Sequence, residues 1–119
     1  MNDARTVLLV DDEISIRLVM AEKLENEGYR VKRAGDGEEA LRVFGRCRPW
    51  AVVTDYSMPR MNGVELARRI KELAPGIPVI LWTSLPPADT TPADYVVTDK
   101  DFDEVLRILA DLLPAQTST

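Results

Sequence analysis

Five short strand-like runs recur along this chain, and their spacing restricts the fold more than any other feature. They are Thr6–Val10, Tyr29–Lys32, Ala51–Val53, Pro78–Trp82 and Tyr95–Val97. A continuous apolar run such as Val7-Leu8-Leu9-Val10 is too short for a helix and reads as a strand buried on both faces. Tyr29–Lys32 is weaker, apolar only at 29 and 31. Helix-length patterns fill most of the gaps. Ile14, Leu18, Ala21 and Leu24 or Glu25 mark one stripe, closed by Gly28. Asp36 and Glu39 form a capping-box pair ahead of Ala40, Leu41 and Phe44, and Pro49 ends that helix. Asn62-Gly63 opens a third helix with Val64, Leu66, Ala67, Ile70 and Leu73 apolar, stopped by Pro75-Gly76. Asp101 opens the last, carrying Phe102, Val105, Leu106, Leu109 and Leu112.

Strands alternating with helices imply parallel βαβ units, and right-handed crossovers place helices on both faces of one sheet. The expected fold is α/β, a doubly wound five-stranded parallel sheet of order 2-1-3-4-5. One connection departs from the rhythm. Between Thr83 and Tyr95 the chain carries Pro86, Pro87 and Pro92, which leaves room for about one helical turn. The fourth helix is expected to be shortened or missing.

The chain's 119 residues suffice for one hydrophobic core, so residues 1–119 are read as a single domain with its core over Thr6–Leu113 and a frayed tail over 114–119. No apolar stretch nears the roughly 20 residues of a membrane-spanning helix, and the N-terminus lacks a signal-peptide pattern. A lone Cys47 suits a reducing compartment, and a cytoplasmic location is expected. The net charge of -5 argues against direct nucleic-acid binding. The chain has no His, so metal or acid–base chemistry must rest on carboxylates, hydroxyls and lysine.

Such groups collect where the strands end. Strand one runs into Asp11 and Asp12, strand three into Asp55, strand four into Thr83 and Ser84, and strand five toward Lys100. In the 2-1-3-4-5 order, strands one and three flank the switch point where open α/β sheets bind ligands. Carboxylates about 4 Å apart repel by roughly 4 kcal/mol at an effective dielectric of about 20, so the cluster calls for a cation. Oxygen-only donors suit Mg²⁺. With a lysine and a hydroxyl alongside, such a pocket can hold a phosphoryl group on Asp55. Taken singly the residues have plainer uses: Asp12 as a helix cap, Thr83 as a strand-end hydroxyl, Lys100 as a solvated lysine, Met58, Met61, Trp50 and Trp82 as packing, Cys47 as an inert helix residue.

Val7-Leu-Leu-Val-Asp11-Asp12-Glu13 together with Asp55-Tyr-Ser-Met-Pro-Arg-Met-Asn-Gly63 resembles the receiver domain of bacterial response regulators, over essentially all of Thr6 to Leu113. The resemblance implies a flavodoxin-like, chemotaxis-regulator-like fold. It implies that Asp55 accepts a phosphoryl group from a phosphohistidine on a histidine kinase or a histidine phosphotransfer protein. It further implies that Asp12, Asp55 and the backbone carbonyl of Ser57 bind Mg²⁺, with Asp11 reaching it through water. Thr83 becomes the switch hydroxyl, Ser84 the small residue beside the phosphoryl group, and Lys100 its pairing cation. The domain signals by self-phosphorylation within a two-component or phosphorelay system and does not turn over outside substrates. It is expected to be a monomer or weak dimer that contacts a downstream protein the sequence does not name.

Three features depart from the family pattern. The family's lysine is followed by proline through a cis bond, whereas Asp101 follows Lys100. A cis bond without proline costs about 2.5–4 kcal/mol, so a trans or strained cis peptide and some displacement of Lys100 are expected. The aromatic switch position holds Val97, leaving Tyr95 as a stand-in on the same strand face. The eroded fourth helix implies output through a surface other than the usual one of helix four, strand five and helix five, or onward phosphoryl transfer. Two competing readings follow from the residues. One is a degenerate receiver acting only through protein contacts. The other is an aspartate-nucleophile phosphatase, disfavoured because Ser57 stands where a second acid is needed.

Overall fold

The computed structural model describes residues 5–99 and 101–112. Five strands, β1 (Thr6–Val10), β2 (Arg30–Ala34), β3 (Ala51–Thr54), β4 (Val79–Trp82) and β5 (Tyr95–Val97), alternate with α1 (Ile14–Asn26), α2 (Gly37–Cys47) and α3 (Gly63–Leu73) as far as β4; α4 (Phe102–Leu112) follows β5. All pairings are parallel and the order is β2-β1-β3-β4-β5. The expected topology is therefore the observed one.

Side-chain alternation divides the core between two faces. Val7, Leu9, Val53, Ile80 and Trp82 pack under α1 and α4 with Met20, Leu24, Val105 and Leu109. Leu8, Val10 and Val52 pack under α2 and α3 with Phe44, Leu66 and Ile70. Every residue of β1, β3 and β4 is buried, which is why those strands read as unbroken apolar runs. Strand β2 lies at the edge and is largely exposed, so Arg30, Lys32 and Arg33 are tolerated. It runs to Ala34, two residues beyond the expected end. Tyr29 precedes it, stacked on Trp50 with ring centroids 6.1 Å apart.

Helix α1 also differs from expectation. Ile14 and Leu18 are 65% and 52% exposed, while Met20, Ala21 and Leu24 are buried. The true inward stripe begins later, and the helix shows apolar side chains to solvent. Helix α2 follows its signals closely. The Asp36 carboxylate accepts the Glu39 N–H at 2.8 Å, and Glu39 in turn accepts the Gly35 N–H at 2.8 Å. This is a capping box shifted by one residue. Arg48 closes the helix in the left-handed region at φ 49.

Residues 83–94 join β4 to β5 with no helix among them. The sheet is therefore uncovered there on the α2–α3 side, where Val96 is 37% exposed, and Leu85 in the connection is 83% exposed. Asp94 anchors the connection by accepting the Val79 N–H at 2.7 Å and pairing with Lys71 at 2.6 Å. Among the described residues, no helix is long and apolar enough to cross a membrane. The tail 114–119 and Leu113 lie outside the described residues.

Candidate functional site

The β1–β3 register pairs Val10 with Thr54, which leaves Asp11 and Asp55 as the next residues on adjacent strands. Both are held by backbone bonds that prolong the ladder: the Asp11 N–H donates to the Ala34 carbonyl at 3.2 Å and the Asp55 N–H to the Val10 carbonyl at 3.0 Å. Carboxylate oxygens of Asp11, Asp12 and Asp55 all lie within 4.8 Å of one another. Asp11 and Asp55 are buried and Asp12 is exposed, so the trio opens to solvent on one side.

Asp12 does not cap α1. The Glu13 N–H donates instead to the Asp11 carboxylate at 2.9 Å, and Glu13 occupies the cap position with no side-chain bond. That leaves Asp12 for the site. Arg17, which sequence reasoning passed over, donates from its guanidinium to the Asp11 carbonyl at 2.6 Å. Its position in the first turn of α1 was the only available signal.

The loop after Asp55 is fixed by close packing. A Cβ on Gly63 would lie 2.3 Å from the Asp55 carbonyl oxygen and 2.7 Å from Leu81, so only glycine fits. The Thr54 hydroxyl donates to the same Asp55 carbonyl at 2.9 Å, and the Gly63 N–H donates to Tyr56 at 2.9 Å. Asn62 caps α3 by accepting the Glu65 N–H at 2.9 Å. Met61 packs on Gly37, where a Cβ would lie 2.6 Å from its sulfur, and Arg60 pairs with Asp36 at 3.1 Å. Ser57 is exposed within this loop.

On the neighbouring strands the arrangement is looser. Thr83 is buried and follows β4 directly, its N–H donating to the Val97 carbonyl at 3.0 Å. Its hydroxyl accepts the Leu85 N–H at 3.4 Å, a weak bond, and Ser84 is exposed. Lys100 and its peptide bond to Asp101 lie outside the described residues. Tyr95 is level with Ile80, three residues before Thr83, and lines a cavity of about 490 Å³ with Trp50, Pro75 and Pro78. It sits toward the other end of the strand from Thr83, which removes it as a stand-in switch. Ile16, Val19, Met20, Trp82 and Phe102 line a largely apolar groove of about 450 Å³ between α1 and α4.

Three oxygen-donor carboxylates around a strand-end opening, with no imidazole in the chain, match the donor set a hard divalent cation takes. Comparison with known proteins points the same way. Residues 7–103 match the family model of the response regulator receiver domain. The probable transcriptional regulatory protein TcrX of Mycobacterium tuberculosis is 34% identical over 115 residues, covering 91% of this chain and 49% of that protein. Response regulator MprA of Mycobacterium leprae is 37% identical over 78 residues, covering 66% of this chain and 34% of that protein. The chain thus spans between a third and a half of these curated relatives. Among solved structures, response regulator TrrA of Thermotoga maritima, in complex with Mg²⁺-BeF, aligns with a TM-score of 0.84 and 33% identity over 92% of this chain and 99% of that one. Chemotaxis protein CheY4 of Vibrio cholerae aligns at 0.82 and 27% identity over 91% and 98%.

Proposed function

Because this chain belongs to the response regulator receiver domain family, we propose that Asp55 is its phosphoryl acceptor and that a phosphohistidine on a histidine kinase or histidine phosphotransfer protein is the donor. The observation that carries this is the packing of Asp55 against Asp11 and Asp12, with all three carboxylates within 4.8 Å and Asp55 nearly buried at the end of β3.

An Asp55 carboxylate oxygen attacks the phosphorus in line, the O–P bond forms, and the N–P bond breaks with its electron pair returning to the donor imidazole. The protein's task is positioning, because the donor carries the activated phosphorus. The ladder bond to Val10, the Thr54 hydroxyl and the Gly63 contact hold the Asp55 backbone so that only its side chain adjusts. Asp12, Asp55 and the Ser57 carbonyl would hold Mg²⁺, with Asp11 reaching it through water, and the ion would neutralise charge on the transferring group. Asp11 is oriented for that role by the Glu13 N–H on its carboxylate and by Arg17 on its carbonyl. Thr83 supplies the hydroxyl that turns toward the phosphoryl oxygens, Ser84 leaves room beside it, and Lys100 pairs with its charge. Helix α1, which follows Asp11 and Asp12 in the chain and leaves Ile14, Leu18 and Val19 exposed, is suited to receive the donor.

Acetyl phosphate with Mg²⁺ is expected to label the wild type and leave Asp55→Asn unlabelled, read by intact mass. Equal labelling of the variant removes Asp55 from the role. Profiling phosphotransfer from candidate kinases with the same pair identifies the donor.

A further inference from the structure

A cationic cleft lies at the outer edge of the sheet, between β2 and α2. It measures about 270 Å³ and is lined by Lys32, Arg33, Val43, Arg46 and Cys47, three cations with no carboxylate. This occurs in a chain with 20 acidic and 15 basic residues. Several other cations are paired: Arg60 with Asp36, Arg68 and Arg69 with Glu65, Lys71 with Asp94, Arg107 with Glu104. Lys32, Arg33 and Arg46 make no ion pair among the described residues.

The cleft borders an open strand edge. Among the described strands β2 pairs only with β1, so its other side is an edge with no strand alongside. Lys32 and Arg33 project to opposite faces of the sheet, and Val43, Arg46 and Cys47 share one face of α2. Charges on an edge strand ordinarily serve to repel a neighbouring strand. Here Lys32 and Arg33 border, from the two faces of the edge, a recess that Arg46 of α2 and an aliphatic side chain also line. That combination repels most strands and accepts one whose own side chains are acidic.

We propose that the β2–α2 edge is a docking surface for an extended acidic segment of a partner protein. The segment adds alongside β2 through main-chain hydrogen bonds, with Asp or Glu side chains on Lys32, Arg33 and Arg46 and an aliphatic side chain toward Val43. The surface lies at the opposite edge of the sheet from the uncovered β4–β5 region, and its occupation does not require phosphorylation.

The test titrates the full chain with a fluorescein-labelled glutamate-rich peptide carrying a single valine, which offers carboxylates on both faces of an added strand, read by anisotropy, with amide chemical shifts mapping the contact. Saturable binding that weakens with salt is expected, with shifts concentrated at residues 30–34 and 43–47. Arg33→Glu with Arg46→Glu should weaken it by about tenfold or more, whereas Arg68→Glu with Arg69→Glu, an equal change in charge on α3, should leave it nearly unchanged. Circular dichroism melts establish that both variants are folded. Equal weakening by both variants, absence of saturable binding, or shifts elsewhere overturn the proposal. Complete displacement of the peptide by inorganic phosphate overturns the polypeptide assignment in favour of a compact oxyanion. Sedimentation showing self-association that Arg33→Glu abolishes, without peptide binding, assigns the edge to a second copy and also overturns it.

Discussion

The two halves of the carboxyl edge of the sheet are built to different tolerances. Around β1 and β3, Asp11 and Asp55 extend a registered ladder, the next loop is wedged against Gly63 and Gly37, and helices cover both faces. Around β4 and β5, one face lacks a helix, Val96 is 37% exposed, and among the described residues the Thr83 hydroxyl has a single weak bond, at 3.4 Å to Leu85. Chemistry that depends on placement needs the first kind of environment. A side chain that must change partners needs the second. The contrast puts the proposed acceptor in closely packed surroundings and the proposed switch residue in looser ones.

Core truncation should expose the contrast most strongly. Phe44, fully buried beneath the α2 side of β1, should lose about 3–5 kcal/mol of unfolding free energy on Phe44→Ala, measured by urea denaturation. Val96→Ser on the uncovered face should change stability by no more than about 0.5 kcal/mol. A comparable loss at both sites would mean that the β4–β5 face is covered in solution. Next in size is Gly63→Ala. Its Cβ would meet the Asp55 carbonyl, so a loss of about 1–3 kcal/mol is expected, together with slower labelling by acetyl phosphate. Unaltered labelling would show that the Asp55 backbone tolerates displacement.

A smaller effect belongs to Asp36, whose carboxyl is held below its ordinary value by the Glu39 N–H, with Arg60 contributing. A carboxyl depressed in the folded state stabilises the protein above its unfolded-state pKa, and that contribution fades as pH falls through the folded one. Asp36→Ala should therefore cost about 1 kcal/mol at neutral pH, and its melting curve should converge on the wild type in acid. A gap that persists below the carboxylate range would mean that the loss comes from packing. Amide exchange gives the mildest comparison: β5 should exchange faster than β3 in the native state.

Much of this architecture was legible because buried parallel strands are apolar on both sides and need no periodicity to be recognised. The acids at their ends were legible for the same reason, since a carboxylate directly after Val10 or Thr54 interrupts a run that the core otherwise requires. Edge strand β2 was partly hidden because its charges face water. Helix α1 was misaligned because periodicity counts apolar residues without knowing which face is covered, and Ile14 and Leu18 lie on the uncovered one. Arg17 was missed because its partner is a backbone carbonyl, which leaves no trace in sequence. Gly63 was recognised as a helix start, but its contact with the Asp55 carbonyl exists only in three dimensions.

The helix-free connection between β4 and β5 also bears on how the sheet closes. Only residues 83–94 separate those strands, whereas residues 11–50 separate the paired strands β1 and β3. Loop-closure entropy grows with the logarithm of length, so the shorter connection lowers the cost of pairing by about 1 kcal/mol. The part of the sheet with the thinnest cover is thus also the part with the most local contacts. A strand that has lost the shelter of a helix is retained in part because its neighbour is close along the chain.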